Sequence, residues 1–450
     1  MPPPPDSKST AIVLFEDPPP PDTVPPTTLP GDRTHTFLHF AQPLAYTYKR
    51  DTVKIAGNVV HATHGETQNE VLGSGDGGSS MQRFTLRKSP LTYLSAATPS
   101  GADTTLAVRV NDILWHETDN LDATGPTDRS YITQADNQDK TTIIFGNGTH
   151  GARLPTGAEN VKAVYRVGIG KPGNVDAGQI SLLATRPLGV KGVNNPLPAT
   201  GGADKESRDQ ARRNVPLATL SLDRIVSTQD YADFARTFAG VGKSSAVNLP
   251  LGRQQLVHLT IAGLDNIPIT KTSDLYLNLF QALRQFGNPS TPLRVDIAEV
   301  KLLVISAQVR VLPDYQLESV APNIRAALYD AFGFEQRDLG QPVYQSEVLS
   351  VIQGVAGVAY VDLAILDAVD QQALLDALNK IHAEELQEAN TGQQPDPTED
   401  LENLLGLGVN QYVPSELARA DPSADGGVDP AQLVFLSADV PDTLILTELS

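Results

Sequence analysis

The stretch Phe145–Gly157 limits what this chain can fold into more than any other part of its sequence. It joins an apolar segment ending at Phe145 to a second apolar segment, Asn160–Gly168, through a turn containing four glycines. Glycine supplies the positive φ angles of tight turns, and the alternation of Val161, Ala163 and Tyr165 suits a pleated strand. None of these positions offers a nucleophile, an acid–base pair or a metal cage. The stretch therefore predicts two strands joined by a structural turn.

Composition indicates a globular protein with two to four domains. The chain has 450 residues, of which 40% are hydrophobic and 19% charged. It contains no cysteine, which excludes disulfide scaffolds and cysteine zinc sites and suits folding in a reducing cytoplasm. No apolar run approaches the roughly 18 residues of a membrane span, so membrane insertion is not expected. The N-terminal run Met1–Asp6 does not have the pattern of a signal peptide.

The formal net charge of −19 is unevenly distributed. Residues 366–450 carry 17 acidic and 2 basic side chains, and the rest of the chain is close to neutral. Because phosphates require lysine and arginine, this balance argues against nucleic-acid binding. The acidic end predicts a solvated tail or an arm for a partner with a basic surface.

The first 200 positions divide into a proline-rich arm and a β-rich domain. Residues 1–34 form the arm, which holds 11 of the 34 prolines and therefore favours an extended polyproline conformation. Within it, Ala11–Phe15 is either an added edge strand for a neighbour or a chance apolar patch. Residues 35–200 carry short alternating segments separated by turn residues, which predicts a sandwich or barrel. The clearest segments are Val53–Val60, Gln82–Leu86, Thr105–Val110 and Thr141–Phe145.

Helices and strand pairs follow in two predicted α+β subdomains, residues 201–300 and 301–365. A short helix begins at Asp204 and is expected to stop at Pro216. Ser227 and Asp230 then form a capping-box pattern. The later elements are strands at Ser245–Leu249, Gln255–Ala262, Leu293–Glu299, Leu302–Leu312 and Val358–Ile365, with helices at Asp274–Phe286, around Leu317–Leu328, and at Ser346–Gln353. A helix, Gly-Val turn and strand occur twice, at Gly240 and Gly354, as a weak internal echo.

Residues 366–450 are predicted to be an acidic arm made of a helix, a polar linker and short strands that fold against a partner. The fold class expected for the whole chain is therefore α+β multidomain, with a β-rich N-terminal domain, α+β subdomains and this partner-dependent arm. The apolar side chains of the arm are its candidate interface residues: Leu374, Leu378, Ile381, Leu433, Phe435 and Leu436.

No catalytic, cofactor-binding or metal-binding residues are expected. Gly168–Gly173 matches a dinucleotide pattern but opens no helix, and Gly242–Ser244 imitates a P-loop in the wrong element order. His61 and His64 face opposite sides of a strand if they are extended, and the nearby His35 and His39 complete no ligand set.

Taken together, the segments resemble the baseplate J-like, or putative baseplate assembly, proteins of contractile phage tails and related injection systems. The segments that carry this resemblance are spread over about residues 45–365: Val59–Thr67, Val71–Asp76, Phe84–Leu86, Pro90–Tyr93, Val110–Trp115, Phe145–Gly157, Tyr165–Gly170, Gly173–Val175, Gly201–Glu206, Asp230–Phe234 and Gly240–Val241.

The resemblance implies a non-enzymatic baseplate wedge protein without cofactors. Family members build the wedges of a six-fold baseplate, join neighbouring wedges into a ring around the hub and connect to the sheath. The implied partners are thus other wedge subunits, hub or spike and sheath proteins, and further copies of this chain. Assembly is expected in the bacterial cytoplasm, with later release from the cell left open. The alternative is a carbohydrate-binding or carbohydrate-cleaving receptor-binding protein, with Trp115 and Tyr93 as candidate contacts.

Overall fold

A computed structural model describes residues 58–60, 62–168, 170–221, 225–251, 254–371, 373–374, 406–421 and 427–449. The chain divides into two compact units, one formed by residues 1–64 with 174–199 and the other by residues 65–173 with 200–450. In the described part of the first unit, Asn195 holds a turn together. Its side-chain amide donates to the carbonyl oxygens of Asp176 (2.8 Å) and Leu197 (3.0 Å).

The second unit begins with a β-rich region. Its strands are β1 (Glu66–Gly75), β2 (Arg83–Thr85), β3 (Tyr93–Ser95), β4 (Ala102–Thr104), β5 (Ala107–Val110), β6 (Ile113–Glu117), β7 (Ser130–Ala135), β8 (Thr141–Phe145) and β9 (Gly157–Val167). Seven of them form one sheet in the order β1-β9-β5-β6-β7-β8-β2, in which only β6 and β7 pair in parallel. This confirms the predicted strands around Gln82–Leu86, Thr105–Val110, Thr141–Phe145 and Asn160–Gly168. The predicted strand Val53–Val60 lies largely outside the described residues.

The sheet curls around an aromatic core. Phe145 is fully buried, with the Trp115 ring 5.3 Å away in an edge-on arrangement. Gly73 in edge strand β1 leaves room for the other edge strand, because a Cβ there would lie 2.8 Å from the Phe84 ring. The two edges of the sheet are thereby brought together in a barrel-like closure.

The next elements are α1 (Arg208–Ser221), α2 (Thr228–Thr237), β10 (Val241–Leu251), β11 (Gln254–Gly263), α3 (Asp274–Phe286) and β12 (Leu293–Ile297). Strands β10 and β11 are antiparallel, whereas β11 and β12 are parallel and joined by α3 as a crossover. Helices α2 and α3 bury one face of this three-stranded sheet, with Phe234, Leu259 and Leu279 at its centre. We call α2 to β12 the central domain.

The local signals at α2 and α3 are confirmed. Ser227 caps α2 in a reciprocal box with Asp230, and the apolar face that carries Tyr231, Phe234, Ala235 and Phe238 is buried. Helix α3 has the predicted limits and ends against Gly287.

Helix α1 differs from the prediction at both ends. It begins at Arg208 because Ser207 and Gln210 form the reciprocal cap, whereas Asp204 instead accepts the backbone N–H of Lys171. It continues through Pro216. A proline removes one helical hydrogen bond but does not compel termination when the rest of the helix is supported.

The last layer contains β13 (Glu299–Val311), α4 (Leu317–Phe332), β14 (Val343–Tyr344), α5 (Gln345–Gln353), β15 (Val358–Asp370), β16 (Tyr412–Val413), β17 (Arg419–Ala420), β18 (Val428–Asp429), β19 (Gln432–Phe435) and β20 (Leu444–Glu448). Strand β13 pairs antiparallel with β15 on one edge and parallel with β19 and β20 on the other. Helices α4 and α5 cover one face of this sheet. The predicted helices and strands of this region are confirmed, including the short strands near the C-terminus.

The prediction of a separate acidic C-terminal arm from residue 366 is wrong, because part of this region belongs to the β13 sheet. Strand β15 runs across the predicted boundary to Asp370, and β19 and β20 supply the second edge of β13. Their apolar side chains fill the chain's own core rather than waiting for a partner, because β13 is fully buried along most of its length and needs a strand on each side. Residues 375–405, with the rest of the predicted arm helix and linker, lie outside the described residues.

Candidate functional site

The segment 333–342 between α4 and β14 binds several distant parts of the chain to one another, and we call it the junction loop. Gly333 ends α4, with its N–H bonded to the Tyr329 carbonyl at 2.9 Å. Gly340 has a φ of +74° and donates its N–H to the carbonyl of Gln432 at 2.8 Å. The loop is thus held at one end by a helix and at the other by the C-terminal strand β19.

Lys243 of β10 reaches the junction loop from the central domain. Its side chain is only 3% exposed, and Nζ donates to the Glu335 carbonyl oxygen at 2.9 Å. Nζ also lies 3.8 Å from Asp338 Oδ1 and 5.5 Å from the centre of the Phe334 ring. Burial lowers the pKa of Lys243 to about 8, although the nearby carboxylate of Asp338 acts in the opposite direction. A cation enclosed in this way is a strong constraint on how the central domain and the loop fit together.

Two helices bind the same loop through charged side chains. On α1, Arg213 Nη2 lies 2.8 Å from Glu335 Oε2, and Gln210 donates to Glu335 Oε1 at 2.9 Å. On α2, Arg236 lies 3.7 Å from Asp338. Each of these pairs is partly exposed, and exposed ion pairs contribute little individually. Their importance is that they select one relative placement of α1, α2 and the loop.

The inner side of the junction loop is apolar. The Phe334 ring packs edge-on against Phe435 of β19 at 5.4 Å. Arg337, 3% exposed, turns inward and donates through Nη2 to the carbonyl oxygens of Gln341 (2.9 Å) and Pro342 (2.5 Å). The loop therefore joins the central domain on its polar side to the C-terminal strands on its apolar side.

The C-terminal strands also cover the face of the central sheet that lies opposite α2 and α3. The backbone N–H of Ala431 donates to Thr260 Oγ1 at 3.1 Å, and Ala262, Ala298 and Leu433 share one apolar cluster. Covering both faces explains why β11 is buried on both sides, including the polar His258 and Thr260 on the side away from α2 and α3.

A buried ion cluster lies across β11 and β12. Asp296 accepts from His258 Nε2 (2.9 Å), Lys271 Nζ (2.7 Å) and Arg294 Nε (2.5 Å). Burial by itself would raise the pKa of Asp296, but these three donors hold it well below its ordinary value. The carboxylate is fully engaged in holding two parallel strands together, which indicates a structural role.

The structure brings four of the six predicted interface residues into the chain's own core. Leu374 is 1% exposed, Leu433 0%, Phe435 3% and Leu436 1%. In this fold their side chains contact other parts of the same chain, and an interface role for these four also stays a prediction. Leu378 and Ile381 lie outside the described residues, and an interface role for them stays a prediction.

The motifs that imitate nucleotide sites are parts of ordinary structure. The residues of Gly168–Gly173 that the structure describes end in a short 3-10 turn, and Gly168 and Gly170 have positive φ. The triplet Gly242–Ser244 lies within β10. The burial of Lys243 against a loop about 90 residues away in the sequence has no local sequence signal, so the sequence does not predict it.

The residues suggested for carbohydrate contact are separated by the fold. Trp115 is 5% exposed in the core of the β-rich region, while Tyr93 is 50% exposed on its surface. No groove formed by these two side chains exists, because one of them is inside the domain.

The described residues show no group of three histidine, cysteine, aspartate or glutamate side chains placed to hold a metal ion. No described helix is both long and apolar enough to cross a membrane. An open groove of about 470 Å³ at one end of the central domain is lined by Tyr231, Asn248, Gln255, Pro292 and their neighbours, and none of its lining residues is a carboxylate, lysine or histidine.

A comparison with known protein families gives a match in the central domain. Residues 223–296 match the family model of the Baseplate J-like central domain. These limits enclose α2 to β12 almost completely. A comparison with curated protein sequences found no match.

Among solved structures, the chain is similar to a chain in the cryo-EM structure of the six-fold symmetrised anti-feeding prophage baseplate. The sequence identity is 13%, and the match covers 69% of this chain and 73% of the other. The TM-score is 0.29, so this similarity carries no argument about the present fold.

Proposed function

We propose that this protein, a Baseplate J-like protein by its residues 223–296, is a structural component of the baseplate of a contractile injection system. The observation that carries the proposal is the coincidence of the family match with one physical unit. The matched residues are not a scattered pattern but a complete layer of two helices on a three-stranded sheet. The segments that resemble baseplate J-like proteins outside residues 223–296 extend the same interpretation over most of the chain.

The finer role is that of a wedge subunit. It would link neighbouring wedges into a six-fold ring around the hub, contact the sheath and rearrange when the sheath contracts. The junction loop is suited to such a role because α1, α2, β10 and β19 all attach to it, and its ion pairs with α1 and α2 are partly exposed and individually weak. A protein that must hold one arrangement and later adopt another needs interfaces that are specific without being very strong.

The proposed role involves no catalysis or cofactor. In the described chain, Asp296 is paired with His258 and Lys271, and Lys243 is paired with the Glu335 carbonyl of the junction loop. Both sets of contacts hold parts of the fold together. Assembly in the bacterial cytoplasm as part of a phage-tail-like particle belongs to the same proposal, and release from the cell remains an additional step.

The test is cryo-electron microscopy of particles isolated through an affinity tag on this chain, expressed with the rest of its gene cluster. A six-fold plate at the end of a sheathed tube, with this chain at the plate, would support the wedge role. A tagged chain that copurifies with no sheath or tube protein would contradict it, and glycan-array binding would then test the receptor-binding alternative. A Tyr93→Ala variant is the control in that assay, since Tyr93 is the exposed member of the suggested aromatic pair.

A further inference from the structure

The open groove at one end of the central domain is built from three segments. Thr228 and Tyr231 come from α2, Asn248 and Gln255 from β10 and β11, and residues 290–292 from the loop that leads into β12. Asn248 lies opposite Val257 in the β10–β11 ladder, so both side chains belong to the side of the sheet that packs against α2 and α3. The groove volume of about 470 Å³ falls within the range of roughly 300–1,000 Å³ that small-molecule sites occupy.

The hydroxyl of Tyr231 is the group that points to a ligand. The tyrosine is 3% exposed, and its hydroxyl makes no hydrogen bond to any residue that the structure describes. The oxygen is nonetheless not sealed inside the core, since the enclosed and unpaired side-chain atoms of the described chain are His258 Nδ1 and Arg337 Nε. Gly287 lies beside it, where a Cβ would come within 3.0 Å of the oxygen. Because buried tyrosines ordinarily pair their hydroxyl, this one is placed to bond a molecule in the groove.

The other polar side chains of the groove are also neutral and unpaired. Within the described parts of the chain, five further hydroxyl or carboxamide side chains line the groove and form no side-chain hydrogen bond: Thr228, Asn248, Gln255, Ser290 and Thr291. A hydroxyl and a carboxamide can each donate and accept. No charged residue lines the groove, so nothing in its lining favours a phosphate or a carboxylate.

A saccharide matches this lining better than an extended peptide does. Each sugar hydroxyl both donates and accepts, as the side chains of the groove do, and the C–H groups of a sugar ring can cover Val226, Val257 and Pro292. An extended peptide presents N–H and C=O groups at a fixed spacing. The free edge of a strand matches that spacing, whereas side chains from three separate segments do not.

We propose that this groove is a binding site for a short neutral saccharide. The buried Tyr231 supplies the hydroxyl at its base, and the exposed Asn248 and Gln255 supply carboxamides at its rim. The inference does not depend on the proposed baseplate function. It is also separate from the Trp115 and Tyr93 candidates, which lie in the β-rich region.

Saturation-transfer NMR on the purified full-length chain tests this site. The probes are maltose, cellobiose and N,N′-diacetylchitobiose, with digalacturonic acid as a charged comparison and tetraglycine as an extended-peptide comparison. We expect saturation transfer to at least one neutral disaccharide, and Tyr231→Phe should weaken its binding at least about fivefold, because the substitution removes one hydrogen-bond partner. The thermal unfolding midpoint of Tyr231→Phe should be unchanged, since the lost hydroxyl bonds to nothing in the described chain.

Further variants separate the groove from the rest of the surface. Asn248→Ala and Gln255→Ala should each weaken the binding, whereas Asn69→Ala, at an exposed carboxamide on β1, should not. Equal binding by Tyr231→Phe and the unmodified chain would overturn the proposal. Saturation transfer to digalacturonic acid or tetraglycine alone, or to none of the probes, would do the same. A lower unfolding midpoint for Tyr231→Phe would also overturn it, because the hydroxyl would then have a structural partner.

Discussion

At the scale of single residues, Lys243 shows how one buried cation constrains the molecule. The amine has one strong acceptor, the Glu335 carbonyl, and one more distant carboxylate, Asp338. Burying a charge costs free energy unless it is well paired, and the lowered pKa of Lys243 expresses that cost. The folded chain therefore holds this proton less tightly than the unfolded chain does.

The lowered pKa of Lys243 predicts a pH dependence of stability. Above pH 8 the unfolded chain keeps the proton while the folded chain releases it, so the free energy of unfolding should rise with pH. Between pH 8 and 9.5 the increase from this group should be about 2 kcal/mol. Denaturant unfolding over this range measures it, and Lys243→Met should flatten the profile. Lys162→Met, at an exposed lysine, is the control and should leave the slope unchanged.

The range stops at pH 9.5 for a physical reason. Burial raises the pKa of Tyr165 to about 12, aided by its bond to Glu70, so ionisation of this tyrosine in the unfolded chain lowers stability above pH 10. If the free energy of unfolding of the Lys243→Met variant rises with pH as steeply as that of the unmodified chain, the pH dependence comes from other groups.

Gly146 is a second residue whose identity follows from geometry. A Cβ at this position would lie 2.3 Å from the backbone of Gly151 across the loop. Gly146→Ala should therefore lower the free energy of unfolding by about 3 kcal/mol, as expected for overpacking against backbone that cannot move aside. Thermal unfolding followed by circular dichroism measures this change.

The matched control for Gly146 is Gly192→Ala, because no atom lies within 4 Å of a Cβ built there. This variant should change stability by less than about 0.5 kcal/mol. Equal thermal unfolding midpoints for Gly146→Ala and Gly192→Ala would refute the close approach of the Gly146 and Gly151 backbones.

At the scale of elements, the C-terminal strands belong to the chain's own sheet, although the acidic composition of their region predicted a partner-dependent arm. Strands β19 and β20 pair with β13, which lies far earlier in the chain. Each strand is a short apolar run in an otherwise acidic region, and Leu433, Val434, Phe435 and Leu444 are buried. Integration into a sheet depends on where the apolar residues fall, not on average composition.

Leu433→Asp should therefore unfold the body of the protein, not only weaken its assembly. The side chain is fully buried, and an unpaired carboxylate there should cost more than about 4 kcal/mol. Thr447→Asp places the same charge on an exposed position of β20 and should be tolerated. Soluble yield and hydrogen exchange of α4 amides measure both variants. A Leu433→Asp protein with native exchange rates would restore the arm interpretation.

At the scale of the whole molecule, the junction loop determines how the central domain and the C-terminal layer are held together. The polar contacts of Glu335 and Asp338 face the central domain, and the Phe334–Phe435 contact faces the C-terminal strands. Under the proposed baseplate role we expect a rearrangement at this junction, because the ion pairs that α1 and α2 make with the loop are partly exposed and individually weak.

A crosslink across the junction tests that idea. The chain has no cysteine, so Arg236→Cys with Asp338→Cys introduces an unambiguous pair for a cleavable bis-maleimide. Particles in which the reagent has joined the two cysteines should assemble but fail to contract when triggered. Cleavage of the reagent should restore contraction, and electron microscopy gives the fraction of contracted particles. Each single-cysteine variant serves as a control. Normal contraction of locked particles would show that the junction moves as one body.

Much of the local structure could be predicted from the sequence because its causes are local. The capping box of Ser227, the stop at Gly287 and the alternation in β9 each act over a short stretch of chain. The turn after Phe145 belongs to the same class, since glycine is required where backbones approach closely. Helix α1 departed from prediction because Ser207, not Asp204, caps it, while Asp204 accepts the backbone N–H of Lys171.

The candidate site could not be predicted in the same way. The junction loop, Lys243 and the groove around Tyr231 each combine segments that are distant from one another in the sequence. By itself the sequence determined the helices, the strands, the α+β class and the resemblance to baseplate J-like proteins. Only the tertiary structure decided that the C-terminal strands belong to the core. Local signals depend on neighbours along the chain, whereas burial depends on which distant strand leaves an edge unpaired.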